Sequence, residues 1–281
     1  MRLDTKHHDR DVARLTYVYP VVSRRAKGVS IGVNLNPNNA CNFRCVYCQV
    51  PDLQFGKAPE IDLALLEREL DGFLDWVVEG DFMETSVPEE SRRLNDVAFS
   101  GNGEPTSAER FDEIVTLVGQ VLDKHRLTGK IDVVLITNGS LVHQETVQRG
   151  LAQLKQLGGQ VWFKLDSATE AGQARINDYK GGLDRVRENL RLAASLCPTW
   201  IQTCAFEMDG APPSEEEQAA YVELLRWTRA EGLPLEGVLL YGIARESHQP
   251  EAERLGRLPE AWLEAYAERL RAEGLEVRVS P

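Results

Sequence analysis

Two periodicities take turns along the chain. Residues 29–36 alternate branched apolar side chains with small or polar ones, the pattern of a strand, and close in the polar turn Pro37-Asn38-Asn39. Behind Asp62, whose carboxylate can accept from the free N–H groups that open a helix, Leu66, Leu70, Phe73, Leu74 and Val77 recur at helical spacing. Residues 81–94, with Pro88-Glu89-Glu90, read as an acidic insertion loop. A second strand is predicted at 96–100. Ser107 stands as the cap of a helix carrying Ile114, Val115, Val118, Val121 and Leu122, and 131–136 is a third strand. The alternation then repeats: a helix with Val147, Leu151 and Leu154, a strand at 161–166, a helix with Leu183, Val186, Leu190 and Ala194, and a strand at 200–208. Ser214 and Glu217 have capping-box spacing ahead of Tyr221, Leu224 and Leu225, and 235–241 is a sixth strand. The long polar exit at 242–257 predicts a lid or substrate loop. Pro259 opens a last helix with Trp262, Tyr266 and Leu270 on one face, and 275–279 predicts an edge strand.

Strands that alternate with helices pair in parallel through right-handed crossovers, so the fold class is α/β. Six such units make a partial (β/α)6, TIM-like barrel of parallel strands. The expected organisation is one domain over 1–281: an N-terminal arm at 1–28, a barrel core at 29–245, and a C-terminal loop, helix and edge strand at 246–281. Within the arm, 15–19 form an apolar step, and His7 and His8 are adjacent and would face apart on any regular element.

Composition narrows the function. The 281 residues are 42% hydrophobic and 27% charged, with no apolar run of the roughly 18 residues that a membrane span needs. A formal net charge of −12 argues against broad nucleic-acid binding, which depends on neutralising phosphates. The local basic patch Ser23-Arg24-Arg25-Ala26-Lys27 and the later Arg245 are candidates for holding an anionic substrate. No signal peptide is apparent in residues 1–15, and the expected compartment is the cytoplasm, where thiols stay reduced.

The chemistry concentrates in Cys41-Asn42-Phe43-Arg44-Cys45-Val46-Tyr47-Cys48. Three thiols spaced C-x3-C-x2-C, with no fourth nearby, can hold a four-iron cluster that leaves one iron open for a ligand, since ordinary clusters use four cysteines. Structural zinc wants four ligands, usually from paired motifs, and no partner pair exists; His125, His143 and His248 are far off in sequence. A second motif, Gly101-Asn102-Gly103-Glu104-Pro105-Thr106, follows the strand at 96–100 and combines backbone that can approach a ligand closely with a carboxylate. Thr137-Asn138-Gly139 ends the third strand. Lys164 and Asp166 share one strand face, which implies either a polar cavity or a salt bridge filling the barrel interior. These stretches all fall at strand C-terminal ends, the face where barrel active sites lie.

Together the cysteine spacing, the aromatic residue before the last cysteine and the Gly-x-Gly-Glu-Pro run resemble the radical S-adenosylmethionine (SAM) superfamily. The resemblance implies a [4Fe-4S] cluster on Cys41, Cys45 and Cys48 whose open iron chelates SAM. It places Tyr47 near the adenine and sets Gly101, Asn102, Gly103 and Glu104 at the amino end of SAM, with Asn102 where the commonest form of the motif has glycine. Thr137, Asn138, Lys164, Asp166 and Ser167 are the further candidates, towards the carboxylate and ribose. It also implies a reducing partner such as flavodoxin or ferredoxin and a substrate, not identified, that loses hydrogen to a 5′-deoxyadenosyl radical. Cys204 is a candidate radical relay or hydrogen donor; buried cysteine is also commonly inert. Residues 20–25, 30–33 and 41–49 look most like a branch related to wybutosine-synthesis iron-sulfur oxidoreductases. Archaeal-type members of that branch carry a second set of cysteines ahead of the motif, and no cysteine precedes Cys41. The alternative enzyme reading is a glycyl-radical activase. The alternative of another class is an iron-sulfur binding or electron-carrying module without turnover.

Overall fold

The computed structural model of the protein describes Leu3, residues 13–23 and residues 28–281. Strand β1 (Val18–Ser23) is the antiparallel partner of β2 (Gly28–Val33), with Val18 opposite Val33 and Val22 opposite Val29. The expected arm thus contributes a sheet strand, because Val18 and Val22 bury almost completely there. Pro20, which has no N–H to donate, is tolerated because β1 is an edge. His7, His8, Arg24 and Arg25 lie outside the described residues.

After the two-residue β3 (Ala40–Cys41) and β4 (Gln54–Phe55), helix α1 (Leu63–Val78) begins where Asp62 accepts from the Leu65 N–H at 3.0 Å. Leu66, Leu70 and Leu74 of its inner stripe are fully buried, each contributing about 1.5–3 kcal/mol of transfer free energy. The stretch read as an insertion loop contains a short helix α2 (Phe82–Ser86). It is anchored because Phe82 closes an edge-to-face trio with Phe73 and Trp76, centroids 5.0 to 5.9 Å apart.

The remaining elements follow in order: β5 (Leu94–Phe99), α3 (Phe111–Lys124), β6 (Asp132–Thr137), α4 (Glu145–Gln156), β7 (Gln160–Lys164), α5 (Glu170–Asn177) and α6 (Leu183–Leu196), then β8 (Thr199–Ala205), β9 (Glu207–Met208), α7 (Glu215–Ala230), β10 (Leu235–Gly242), β11 (Leu255–Gly256), α8 (Glu260–Arg271) and β12 (Val277–Ser280). Ser107 does not cap α3. Its hydroxyl instead donates to the Glu104 carbonyl at 2.7 Å and accepts from the Ala58 N–H, while Arg110 occupies the cap position.

The central sheet runs β1-β2-β5-β6-β7-β8-β10-β12 and stays open between its edge strands. Every pair but the first is parallel. Six strand–helix units therefore form the predicted partial barrel, and β12 supplies the expected edge. Outward residues such as Ile31, Phe99, Leu135, Phe163 and Ile201 bury against the helices. The inward positions are much more polar, and that inversion positions the site.

Candidate functional site

Four strand ends and the thiol loop converge on one cavity of about 350 Å³. Cys41, Cys45, Cys48, Tyr47, Gly101, Asn102, Gly103, Glu104, Thr137, Asn138, Lys164 and Cys204 all line it. Asp166 and Ser167 do not. They border a smaller neighbouring cavity of about 230 Å³, because the chain turns away after β7 and Ser167 Oγ accepts from the Thr169 N–H at 3.2 Å in the lead-in to α5.

The thiols are half-buried, and burial pushes the Cys41 thiol up to about 12 and that of Cys45 to about 11. Thiols with such values stay protonated at neutral pH until a cation stabilises the thiolate. The loop gives them specific support. The Phe43 N–H points at Cys41 Sγ from 3.4 Å, and Asn177 Nδ2 donates to Cys45 Sγ at 3.3 Å. Asn42, between the first two cysteines, donates to Ser140 Oγ and accepts from Asn138 Nδ2, each at 2.8 Å, which pins the loop to the end of β6. Among the described residues no three His, Cys, Asp or Glu side chains converge as ligands of a single metal ion must. The three thiols instead border a common space.

Glu104 is 2% exposed and its carboxylate is bonded throughout. Oε1 accepts from the Thr106 N–H and from the Thr106 and Thr137 hydroxyls at 2.5 to 3.0 Å, and Oε2 accepts from the Asn138 N–H at 2.6 Å. Burial raises its pKa, and these four bonds act against the rise. Its side chain therefore ties the Gly101–Glu104 turn to β6, leaving the backbone of the turn to face the cavity. Gly103 permits that turn: a Cβ there would lie 2.0 Å from the Ala40 carbonyl oxygen. Asn34 Oδ1 accepts from the Asn102 N–H at 3.0 Å and fixes the other end.

At the opposite wall, Tyr47 donates to Asp166 Oδ2 at 2.7 Å, and Lys164 donates to the Tyr47 hydroxyl and sits 3.1 Å from the same carboxylate oxygen. Asn177 Nδ2 and the Cys204 N–H complete the shell of Asp166 at 2.7 and 3.0 Å. Burial disfavours the Lys164 charge, but Asp166, Tyr241, Cys45 and Cys204 together outweigh it and hold the ammonium well above the usual lysine range. Burial, with Asp166 adjacent, likewise pushes the Tyr47 phenol well up, so it remains a proton donor. Lys164 and Asp166 thus form the ion pair that the sequence allowed, and Lys164 alone of the two lines the cavity.

The exit of β10, expected as a lid, is strapped to the thiol loop. Ser247 Oγ donates to the Val46 carbonyl at 2.8 Å, the His248 N–H to that of Cys48 at 2.9 Å, and Gln249 Nε2 to that of Val50 at 3.2 Å. Arg44 and Glu251 add a two-pronged ion pair at 2.8 and 3.0 Å. Sequence reasoning did not find Asn177, Ser247 or Gln249, because each reaches the loop from more than a hundred residues away. Arg245 lines the cavity near this strap.

A family model described as the radical SAM superfamily matches residues 35–225. A UPF0026 protein of Synechocystis is 29% identical over 171 residues, which cover 59% of this chain and 54% of that protein, so the match spans about half the relative's length. Among solved structures, a radical SAM methyltransferase from Sphaerobacter thermophilus superposes with a TM-score of 0.63 at 13% identity, covering 93% of this chain and 68% of that one. TYW1 with a lysine-pyruvate adduct bound gives 0.58 at 16% identity, covering 88% and 74%. At these identities the structural likeness is one of fold.

Proposed function

The chain belongs to the radical SAM superfamily of enzymes, and from that premise we propose that it binds SAM against a [4Fe-4S] cluster carried by Cys41, Cys45 and Cys48 and directs the resulting radical at a substrate inside the barrel. The observation that carries the reading is the meeting of the three thiols, Tyr47 and the Gly101–Glu104 turn on one cavity. Three thiolates without a fourth protein thiolate in the motif suit a cluster with one open iron. When bound, the cluster supplies an electron and that open iron, where SAM is cleaved reductively to methionine and a 5′-deoxyadenosyl radical that takes hydrogen from the substrate.

The protein's own part is to bind, orient and exclude water. Asn42, Asn177 and the strap hold the thiol loop. The backbone of Gly101, Asn102 and Gly103, kept in place by Glu104 and Thr137, offers close-range contacts to the amino end of SAM. Tyr47 and Asn138 flank the adenosyl part, and Lys164 faces the carboxylate or ribose while Asp166 and Ser167 steady that wall from behind. Cys204, whose thiol is buried on the lumen side, is the candidate hydrogen donor. Residues 1–281 act in this reading as one domain, fed by a small reducing protein such as flavodoxin or ferredoxin.

The test is anaerobic reconstitution with iron and sulfide, then dithionite and SAM, with 5′-deoxyadenosine as the readout. Wild type is expected to form it and Cys45→Ala is not. Failure of the wild type to cleave SAM with its cluster intact would overturn the proposal.

A further inference from the structure

One polar side chain of the barrel lumen has no work in the proposed SAM site. Gln202 stands on β8 between Lys164 of β7 and Leu239 of β10, its neighbours in register. Its main chain is spent in the ladder, the carbonyl accepting from the Leu165 N–H at 2.9 Å. By the two-residue period of a strand its side chain shares the inner face with Cys204, while Thr203 between them turns outward to Tyr221. The residue is 4% exposed and lines the cavity of the thiol loop. Among the described residues no group is hydrogen-bonded to its carboxamide. A primary amide shut away from bulk water with its carbonyl and N–H groups unmet is costly unless an occupant of the cavity meets them.

The rest of the wall says what kind of occupant that is. Lys164, beside it, already donates to the Tyr47 hydroxyl and is neutralised by Asp166 at 3.1 Å. Among the described residues the charged side chains lining the cavity balance, Lys164 and Arg245 against Glu104 and Asp96, so neither sign prevails and a neutral ligand is favoured. Val134 and Ile136 on β6 line the same space and offer it apolar surface. A carboxamide presents a donor and an acceptor side by side. The edge that satisfies both at once carries an N–H next to a C=O, as a lactam or another carboxamide does.

We propose that Gln202 is the specificity residue of the substrate seat and holds a small neutral substrate by an amide edge, Oε1 accepting from the substrate N–H and Nε2 donating to the adjacent carbonyl. The inference deepens the proposed function and rests on it for treating the bound amide as a substrate.

The test is ligand-observed NMR titration of the anaerobic, cluster-reconstituted protein with 2-piperidone, a ring that carries the edge, and with cyclohexanone, a ring of the same size that carries the carbonyl alone. Saturable binding of 2-piperidone is expected, at least about fivefold tighter than that of cyclohexanone, as one unmet buried hydrogen bond implies. Gln202→Met keeps the length without the amide and is expected to bind the two rings alike. Gln202→Glu keeps the size and loses the donor, and is expected to bind 2-piperidone at least about fivefold more weakly, which keeps the test decisive should the first variant fail to fold. No saturable binding, equal affinity of the wild type for the two rings, or an unchanged affinity for 2-piperidone in a folded variant overturns the seat. Assaying 5′-deoxyadenosine in the same preparations separates the two ideas. SAM cleavage by a wild type that does not select 2-piperidone removes the seat alone, and selection without SAM cleavage removes the radical reading alone.

Discussion

At Asp96, burial raises a carboxyl from the ordinary 3.8 to about 6. Because the folded value lies above the unfolded one, the group's contribution to stability is fully present below pH 3.8 and is lost as the pH climbs through 6. Asp96→Asn cannot ionise and is therefore expected to be more stable than wild type by about 2–3 kcal/mol at about pH 8, with little difference at about pH 4. Urea unfolding at both pH values checks this, and a gap independent of pH would remove the buried-charge account. Gly103 makes the opposite kind of demand. A methyl group there meets the Ala40 carbonyl, which already accepts from Asn36 Nδ2 at 2.9 Å, so neither partner can give way cheaply. Gly103→Ala is expected to lose at least about 2 kcal/mol of stability, read as a lower thermal midpoint, and an unchanged midpoint would show that the turn has slack.

At the level of elements, what was legible in the sequence was local. The thiol spacing, the Gly101–Glu104 run and the strong stripe of α1 each sit within one short window, and Leu66, Leu70 and Leu74 bury where their period says they should. Helix α5 was not legible because its buried positions Gly172, Gln173 and Asn177 are polar or lack a side chain, leaving Ile176 alone to mark an apolar face. Yet α5 delivers Asn177 to Cys45 and Asp166. β1 was hidden by Pro20, which reads as a breaker until an edge position excuses it. The strap at 247–251 was hidden because its polar residues advertise a free loop, and only the fold reveals that their donors meet the carbonyls of Val46, Cys48 and Val50. Removing one of these donors in Ser247→Ala is expected to cost about 1 kcal/mol and to speed the loss of iron to a chelator several-fold. Iron release at the wild-type rate would make the strap incidental to the loop.

At the scale of the molecule, the sheet separates two environments. Its outer face is an apolar core shared with the helices, and its inner face carries Ser30, Asp96, Trp162, Lys164, Gln202 and Tyr241 around open space. Filled barrels pack side chains in layers, so an open lumen that reaches the N-terminal ends of the strands departs from the expectation for an ordinary barrel interior. The alternation of strands and helices was enough to predict the barrel. It could not predict the lumen, because one polar residue on a strand face reads as solvent-facing until the sheet curves round it. The strap also orders events in time. Ser247 lies 201 residues beyond the Val46 carbonyl it binds, so a ribosome making this chain releases the three thiols long before their clasp exists. Until residues 247–251 emerge, the carbonyls of Val46, Cys48 and Val50 lack the donors that hold them in the finished fold.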